Sequence, residues 1–262
     1  MKLRDTWRML RQRLSKPVVT CFTINGFMGD MWAGPQADTG RYLSDLKLAY
    51  WQPIGYDAGS FPLSGGVASG LAELKRQMSL HPGLFVVSCW SEGAIIWVLA
   101  FEAIRRGDPG WPSLSNFKGC TTFGNPYREE HSYAPKTGPG AVPDPGGAGI
   151  GGPRNNLKGT PSNWHDYAHP GDMYTVCPTD TNSTGNDIRI IFDLVLTQWS
   201  GEFQDFFSLA MTLMSGPLKA LPGLVGAIIK SITFFGGGTK QHVNYDPSPS
   251  KNYLAGVIRS LP

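Results

Sequence analysis

The sequence is short of charge, of paired cysteines and of long apolar runs, and each shortage excludes a class of protein. Charged side chains make up 16% of the residues, 23 basic against 20 acidic, and a net charge of +3 is too small to hold a polyanion. Nucleic acid is therefore excluded as a partner. The hydrophobic share of 41% in 262 residues is nevertheless enough for one sizeable core, which excludes disorder and points to a single main domain. Cys21, Cys89, Cys120 and Cys177 form no C-x-x-C pair and lie in or beside apolar runs. They read as buried reduced thiols, with a disulfide left open. The basic start of the chain is not followed by an apolar run of signal-peptide length before Pro17, so no secretion signal is expected. The longest apolar stretch, Phe203 to Phe235, is interrupted by Gly216-Pro217, Pro222-Gly223, Lys219 and Lys230. It reads as short helices forming a linker or cap unit, not as a membrane span. No internal repeat is visible.

Glycine (33) and proline (21) are plentiful, so much of the chain is expected to be loops around a modest amount of regular structure. Leu3, Trp7, Leu10 and Leu14 share one helical face, with basic residues largely elsewhere. A helix packed on the body of the protein is favoured there over one lying on an anionic membrane surface. Pro17 to Ile24 and Leu84 to Trp90 read as buried strands. Helical character over Arg41 to Tyr50 and Gly65 to Met78 lies between them, predicting a parallel pair joined by a crossover. Ala94 to Arg106 is the clearest helix, closed by two arginines, Gly107 and Pro109. Phe117 to Phe123 and Trp164 to Ala168 read as strands, Ala134 to Ser162 as a long surface loop, and Ile188 to Trp199 as a helix. Gly147, Gly149 and Gly152 spell G-x-G-x-x-G, but no strand precedes them and no helical pattern follows, so a dinucleotide site is rejected.

The sharpest local feature is Cys89-Trp90-Ser91-Glu92-Gly93, between an apolar strand and the best helix. It matches the nucleophile elbow G-x-S-x-G, with cysteine for the first glycine. A sharp strand-to-helix turn needs small residues two before and two after the serine, and it lifts the hydroxyl towards helix N–H groups that favour negative charge. The competing reading is a serine that merely caps the helix. Asn25-Gly26-Phe27-Met28-Gly29 follows the first strand, where this architecture supplies an oxyanion donor. The backbone N–H groups of Phe27 and Glu92 are the candidates. The triad order Ser, acid, His then requires a late histidine on a loop, and His242 is the only one after position 169. Asp172, in a Pro-Gly turn after a candidate strand, is the acid, against Asp180, Asp187, Asp193, Glu202 and Asp205 as competitors. Asn25, Trp90, His169 and Met173 are candidates to line the substrate site. His165 and His169 are four apart, but no H-E-x-x-H pattern accompanies them, so a structural or substrate-lining role is favoured over zinc.

Together these residues resemble a known family, the phage lysin B esterases, cutinase-like mycolylarabinogalactan hydrolases of phages that infect mycobacteria and their relatives. The resemblance extends over nearly all of the chain after Pro17. It is carried by Phe22 to Gly26, Tyr50 to Gly55, the nucleophile turn running into Ala94-Ile95, Gly124-Asn125-Pro126 with Arg128, Tyr167-Ala168-His169, Gly171 to Tyr174, Gly226 to Ile229 and Thr233-Phe234-Phe235. It implies an α/β-hydrolase fold with a mostly parallel central sheet flanked by helices. It also implies Ser91, Asp172 and His242 as the triad, and no metal or organic cofactor. Residues 1–16 would be a basic extension, 17–200 the hydrolase core, 201–236 a helical linker or cap unit, and 237–262 the return carrying the catalytic histidine. The implied substrate is the ester joining mycolic acids to arabinogalactan. The implied protein is a monomer made in the host cytoplasm and acting on the envelope once lysis has begun, with contact to envelope lipid. Two departures stand out: Asn25-Gly26-Phe27 where the family usually has His-Gly-Thr, and Cys89 to Gly93 where it usually has Gly-Tyr-Ser-Gln-Gly. A general lipase or cutinase, a mycolyltransferase and a non-catalytic envelope-lipid binder remain as alternatives.

Overall fold

The computed structural model describes residues 19–60, 62–137, 140–179, 189 and 240–262. The expected extension over 1–16, the helix over Ile188 to Trp199 apart from Arg189, and the helical unit over 201–236 lie outside the described residues, as do the competing acids Asp180, Asp187, Asp193, Glu202 and Asp205.

Five strands form one sheet: β1 (Thr20–Ile24), β2 (Tyr50–Pro53), β3 (Phe85–Trp90), β4 (Phe117–Phe123) and β5 (Trp164–Tyr167). Their order is β2-β1-β3-β4-β5, and every pairing is parallel. A parallel sheet is buried on both faces, so its strands read as apolar runs in which successive side chains enter different layers. Phe22 and Ile24 of β1 and Phe85, Val87 and Cys89 of β3 enter the larger core cluster. Cys21 and Val86 enter a second cluster on the other face.

Helices α1 (Pro35–Asp45), α2 (Leu63–Leu80), α3 (Glu92–Arg106) and α6 (Ser248–Arg259) cover those faces. Helices α2 and α3 supply Val67, Leu74, Ile95, Trp97 and Phe101 to the larger core, while α1 and α6 supply Leu43, Leu254, Ala255 and Ile258 to the smaller one. The result is an α/β fold of three layers, as the α/β-hydrolase expectation required. Two short helices, α4 (Gly152–Asn155) and α5 (Lys240–Val243), lie in the connections. No helix among the described residues is long and apolar enough to cross a membrane. All four cysteines are buried thiols with no disulfide between them.

The expected strand-helix-strand unit is present, since β1 and β3 pair in parallel, but its interior differs from the expectation. The first helix runs from Pro35 to Asp45 instead of Arg41 to Tyr50, and Tyr50 opens the unforeseen edge strand β2. Helix α1 buries Gln36 and Thr39, polar residues that an apolar pattern passes over. Gln36 Nε2 donates to the Ala33 carbonyl and the Thr39 hydroxyl to the Pro35 carbonyl, which offsets part of the cost, while Gln36 Oε1 has no partner among the described residues.

The order β2-β1-β3 means that the chain leaves β1 towards one side of the sheet and later returns on the other. A crevice opens at such a switch point beyond the carboxyl ends of the two strands. Ile24 and Cys89 are partners at those ends, so the turns after β1 and β3 face each other across it.

Candidate active site

The turn after β3 is sharp because Ser91 adopts φ 55° and ψ −121°, a region that non-glycine residues avoid. Holding a residue there costs about 1–3 kcal/mol, which the surrounding structure must over-determine. The Ser91 amide donates to the Phe123 carbonyl at 2.9 Å, tying the turn to the end of β4. On the other side, Gly93 packs so closely on β1 that a Cβ there would sit 2.5 Å from the Asn25 carbonyl oxygen. Ser91 stands at the cap position of α3, yet its side chain caps no helix amide. The hydroxyl turns away, and its partner is His242.

Ser91 Oγ lies 2.8 Å from His242 Nε2, and His242 Nδ1 lies 2.8 Å from Asp172 Oδ2. Both His242 and Asp172 are buried. A carboxylate only accepts, so Nδ1 carries the hydrogen that Asp172 receives, leaving Nε2 with a lone pair towards the serine hydroxyl. Asp172 is held on both oxygens: Oδ2 also accepts from the Tyr245 hydroxyl at 2.7 Å, and Oδ1 accepts from the Tyr174 amide at 3.0 Å. Burial first, and then the charge of Asp172, push both tyrosine hydroxyls well above the usual phenol range, so Tyr245 remains a donor. The Tyr174 ring lies against the imidazole with centroids 4.4 Å apart, and the Trp90 indole N–H donates to the His242 carbonyl at 3.0 Å. Gly124, at the end of β4 with φ 58°, leaves room for the pair. A Cβ there would fall 2.7 Å from the imidazole ring and 3.1 Å from Asp172 Oδ2.

The loop after β1 presses on the serine from the other side. A Cβ on Gly26 would come within 2.9 Å of Ser91 Cβ. The Gly26 carbonyl accepts from the Gly29 amide at 2.9 Å and from Asn25 Nδ2 at 3.2 Å, and Asn25 Nδ2 also reaches the Gly29 carbonyl at 2.6 Å. In a trans peptide the N–H points opposite to the C=O, so holding the Gly26 carbonyl fixes the direction of the Phe27 N–H. The Glu92 amide is the first of α3, where helix N–H groups have no partner within the helix. Burial pushes the Glu92 carboxyl up to about 8, with a smaller contribution from Asp57, against the opposing effect of the hydrogen bond to Tyr56.

Of the other expected site residues, Asn25 is buried and spends its amide on its own loop. Trp90 is half-buried beside His242. Met173 is half-buried against the larger core, and His169 stacks on Tyr245 at 4.3 Å. His165 stacks instead on Tyr253, and burial lowers its imidazole to about 4, so the two histidines serve different neighbours. No group of three His, Cys, Asp or Glu residues suited to a metal ion occurs among the described residues. Sequence reasoning missed Tyr56, Tyr174 and Tyr245. Tyr56 and Tyr245 belong to no motif, Tyr174 lies in the segment Gly171 to Tyr174 without being singled out, and only the fold brings the three to Glu92, His242 and Asp172.

No protein-family model matches the chain. It is 30% identical over 260 residues to Endolysin B of Mycobacterium phage D29, covering 92% of this chain and 99% of that protein. It is 27% identical over 249 residues to Endolysin B of Mycobacterium phage L5, covering 87% and 92% respectively. Among solved structures, the crystal structure of lysin B from Mycobacteriophage D29 overlays with a TM-score of 0.63 at 27% identity, covering 92% of this chain and 99% of that one.

Proposed function

The chain belongs to the endolysin B family, and from that premise we propose that it is a phage-encoded serine esterase that cleaves the ester between mycolic acids and arabinogalactan in the host envelope. One observation carries the reading: an unbroken hydrogen-bonded line from hydroxyl to imidazole to buried carboxylate, with both links at 2.8 Å. Ser91 attacks the ester carbonyl while His242 Nε2 takes its proton, and Asp172 holds the imidazole tautomer and stabilises the imidazolium. The Phe27 and Glu92 amides receive the oxyanion. His242 then returns the proton to the departing sugar hydroxyl. A water molecule activated by the same imidazole releases free mycolic acid from the acyl-enzyme. The chemistry calls for no metal or organic cofactor. The mycolyl specificity rests on the family resemblance. The turns at Asn25-Gly26-Phe27 and Cys89-Trp90 differ from the family's usual residues but keep the backbone amides that the chemistry needs.

Ser91→Ala tests the reading. Its turnover of a p-nitrophenyl ester is expected to fall to a residue of roughly 10³ to 10⁴-fold acceleration over water, with an unchanged circular-dichroism spectrum. Near-wild-type turnover overturns it. Incubation with purified envelope is expected to yield free mycolic acid. New glycolipid in its place would mark a transferase, and binding of mycolate esters with no labelling by a fluorophosphonate would mark a non-catalytic binder.

A further inference from the structure

We infer that Glu92 acts through its side chain as well as its backbone: its neutral carboxyl donates to Tyr56, Tyr56 donates to the Asn25 carbonyl, and this relay positions the oxyanion loop until the carboxyl ionises. The inference rests on the serine-esterase reading and deepens it.

The available protons decide the direction of the relay. Tyr56 Oη lies 2.9 Å from the Asn25 carbonyl oxygen and 3.1 Å from Glu92 Oε2. A carbonyl only accepts, and a phenol has one hydrogen to give. With Glu92 protonated both contacts are hydrogen bonds, the acid donating to Tyr56 and Tyr56 to Asn25. With Glu92 ionised, one proton has gone to solvent and the carboxylate can only accept. It then competes for the single phenol hydrogen, and the Asn25 carbonyl loses its donor.

The surroundings favour the neutral form. Glu92 is 2% exposed, and its Oε1 has no hydrogen-bonding partner among the described residues. A buried carboxylate with an unpartnered oxygen is costly, whereas a neutral acid is much less so. There is little room to turn away, because a Cβ on Gly66 would already come within 2.6 Å of that oxygen. Among the described residues, the titratable groups that face Glu92 are Tyr56 and Asp57, both from the segment after β2, and α2 presents Gly66. Asp57 opposes ionisation, and no cation is among the causes that shift Glu92. Burial first, and then Glu92, push the Tyr56 hydroxyl far above the usual phenol range. It therefore keeps its proton while Glu92 titrates.

The peptide that Tyr56 grips is the one that matters. The Asn25 carbonyl lies against Gly93 in the first turn of α3, and the next residue, Gly26, lies against Ser91. Rotating the Asn25-Gly26 peptide carries the following peptide with it, and with that the Phe27 N–H. Glu92 is a positioning residue here, and its sign in the pH profile follows. The relay is complete at low pH and is lost as pH rises through about 8. An alkaline limb in kcat/KM is the expected result.

The experiment compares wild type, Glu92→Gln and Tyr56→Phe on a p-nitrophenyl ester between about pH 6 and about pH 10, corrected for spontaneous hydrolysis. Wild type is expected to lose roughly ten-fold in kcat/KM across the limb, the scale of one buried carbonyl left without its donor. Glu92→Gln, which keeps a donor that cannot ionise, is expected to lack the limb. Tyr56→Phe is expected to lack the alkaline limb and to run, where wild type is at its plateau, at the level to which wild type falls. An infrared titration of wild type is expected to show a protonated carboxyl band that disappears through the same pH range and is missing from Glu92→Gln. An unchanged limb in Glu92→Gln, a wild-type profile in Tyr56→Phe, or a carboxyl already ionised at neutral pH each overturns the inference. The infrared band needs no turnover, so failure of the serine reading, seen as an active Ser91→Ala, is separable from failure of this one.

Discussion

Tyr245 shows how much a single side chain can carry in a site built from distant residues. Its hydroxyl gives Asp172 Oδ2 a second donor beside the imidazole, and its ring stacks on His169. Tyr245→Phe keeps the stack and removes only the hydrogen bond, leaving a buried carboxylate one donor short. A hydrogen bond to a charged acceptor is worth about 1.5–3 kcal/mol, so kcat is expected to fall at least roughly 10-fold with KM nearly constant. Steady-state kinetics on a small ester would check it; an equal fall in kcat and in substrate affinity would mean that Tyr245 touches substrate instead. Nothing in the sequence marks this residue. The proposed nucleophile Ser91 could be read from its neighbours and the proposed base His242 by elimination, but a hydrogen bond between positions 172 and 245 has no local pattern to betray it.

At the level of strands and helices, legibility followed burial. Strand β3 and helix α3 are apolar almost throughout and meet at a turn whose chemistry is local, so both elements and the elbow could be read directly. Strand β2 has four residues, Tyr-Trp-Gln-Pro, on the sheet edge, and only its last is buried. Helix α1 turns the polar residues Gln36 and Thr39 inward, so its start was placed six residues late and its end was carried into β2. The carboxyl end of β4 supplies the test proper to this scale. A methyl group at Gly124 meets both the positive φ and the imidazole. Gly124→Ala is expected to cost about 1–3 kcal/mol of stability for the backbone conformation alone. If His242 is the base as proposed, it should also lower kcat roughly 10²-fold, the effect of displacing a catalytic group by about an ångström. Denaturant unfolding and kinetics on the same preparation would separate the two effects.

Over the whole molecule, the sheet order decides where chemistry can occur. The reversal between β1 and β3 brings two turns face to face, and the later strands extend the same rim to Gly124 and Asp172. The fold class and this rim were legible in the alternation of strands and helices; the hydroxyl bridges joining the layers were not. Ser250 of α6 lies within hydrogen-bonding distance of Thr39 of α1 and Thr121 of β4, so the last helix is tied to both the neighbouring helix and the sheet. Leu254, fully buried on the same helix, packs in the smaller core far from the reacting groups. Leu254→Ala is expected to destabilise the protein by about 2–5 kcal/mol while kcat/KM of the folded fraction stays near wild type. A lower denaturation midpoint with retained specific activity would bear this out; loss of activity without loss of stability would sever the assigned division between scaffold and site.

The hydroxyl and the imidazole that faces it at 2.8 Å are 151 positions apart in the chain. Synthesis proceeds from the amino end, so Ser91, the proposed nucleophile, is made well before His242, its proposed base. On the proposed reading, a growing polypeptide chain gains a base for that serine only after those 151 positions have been made, and until then it is inert towards lipid esters.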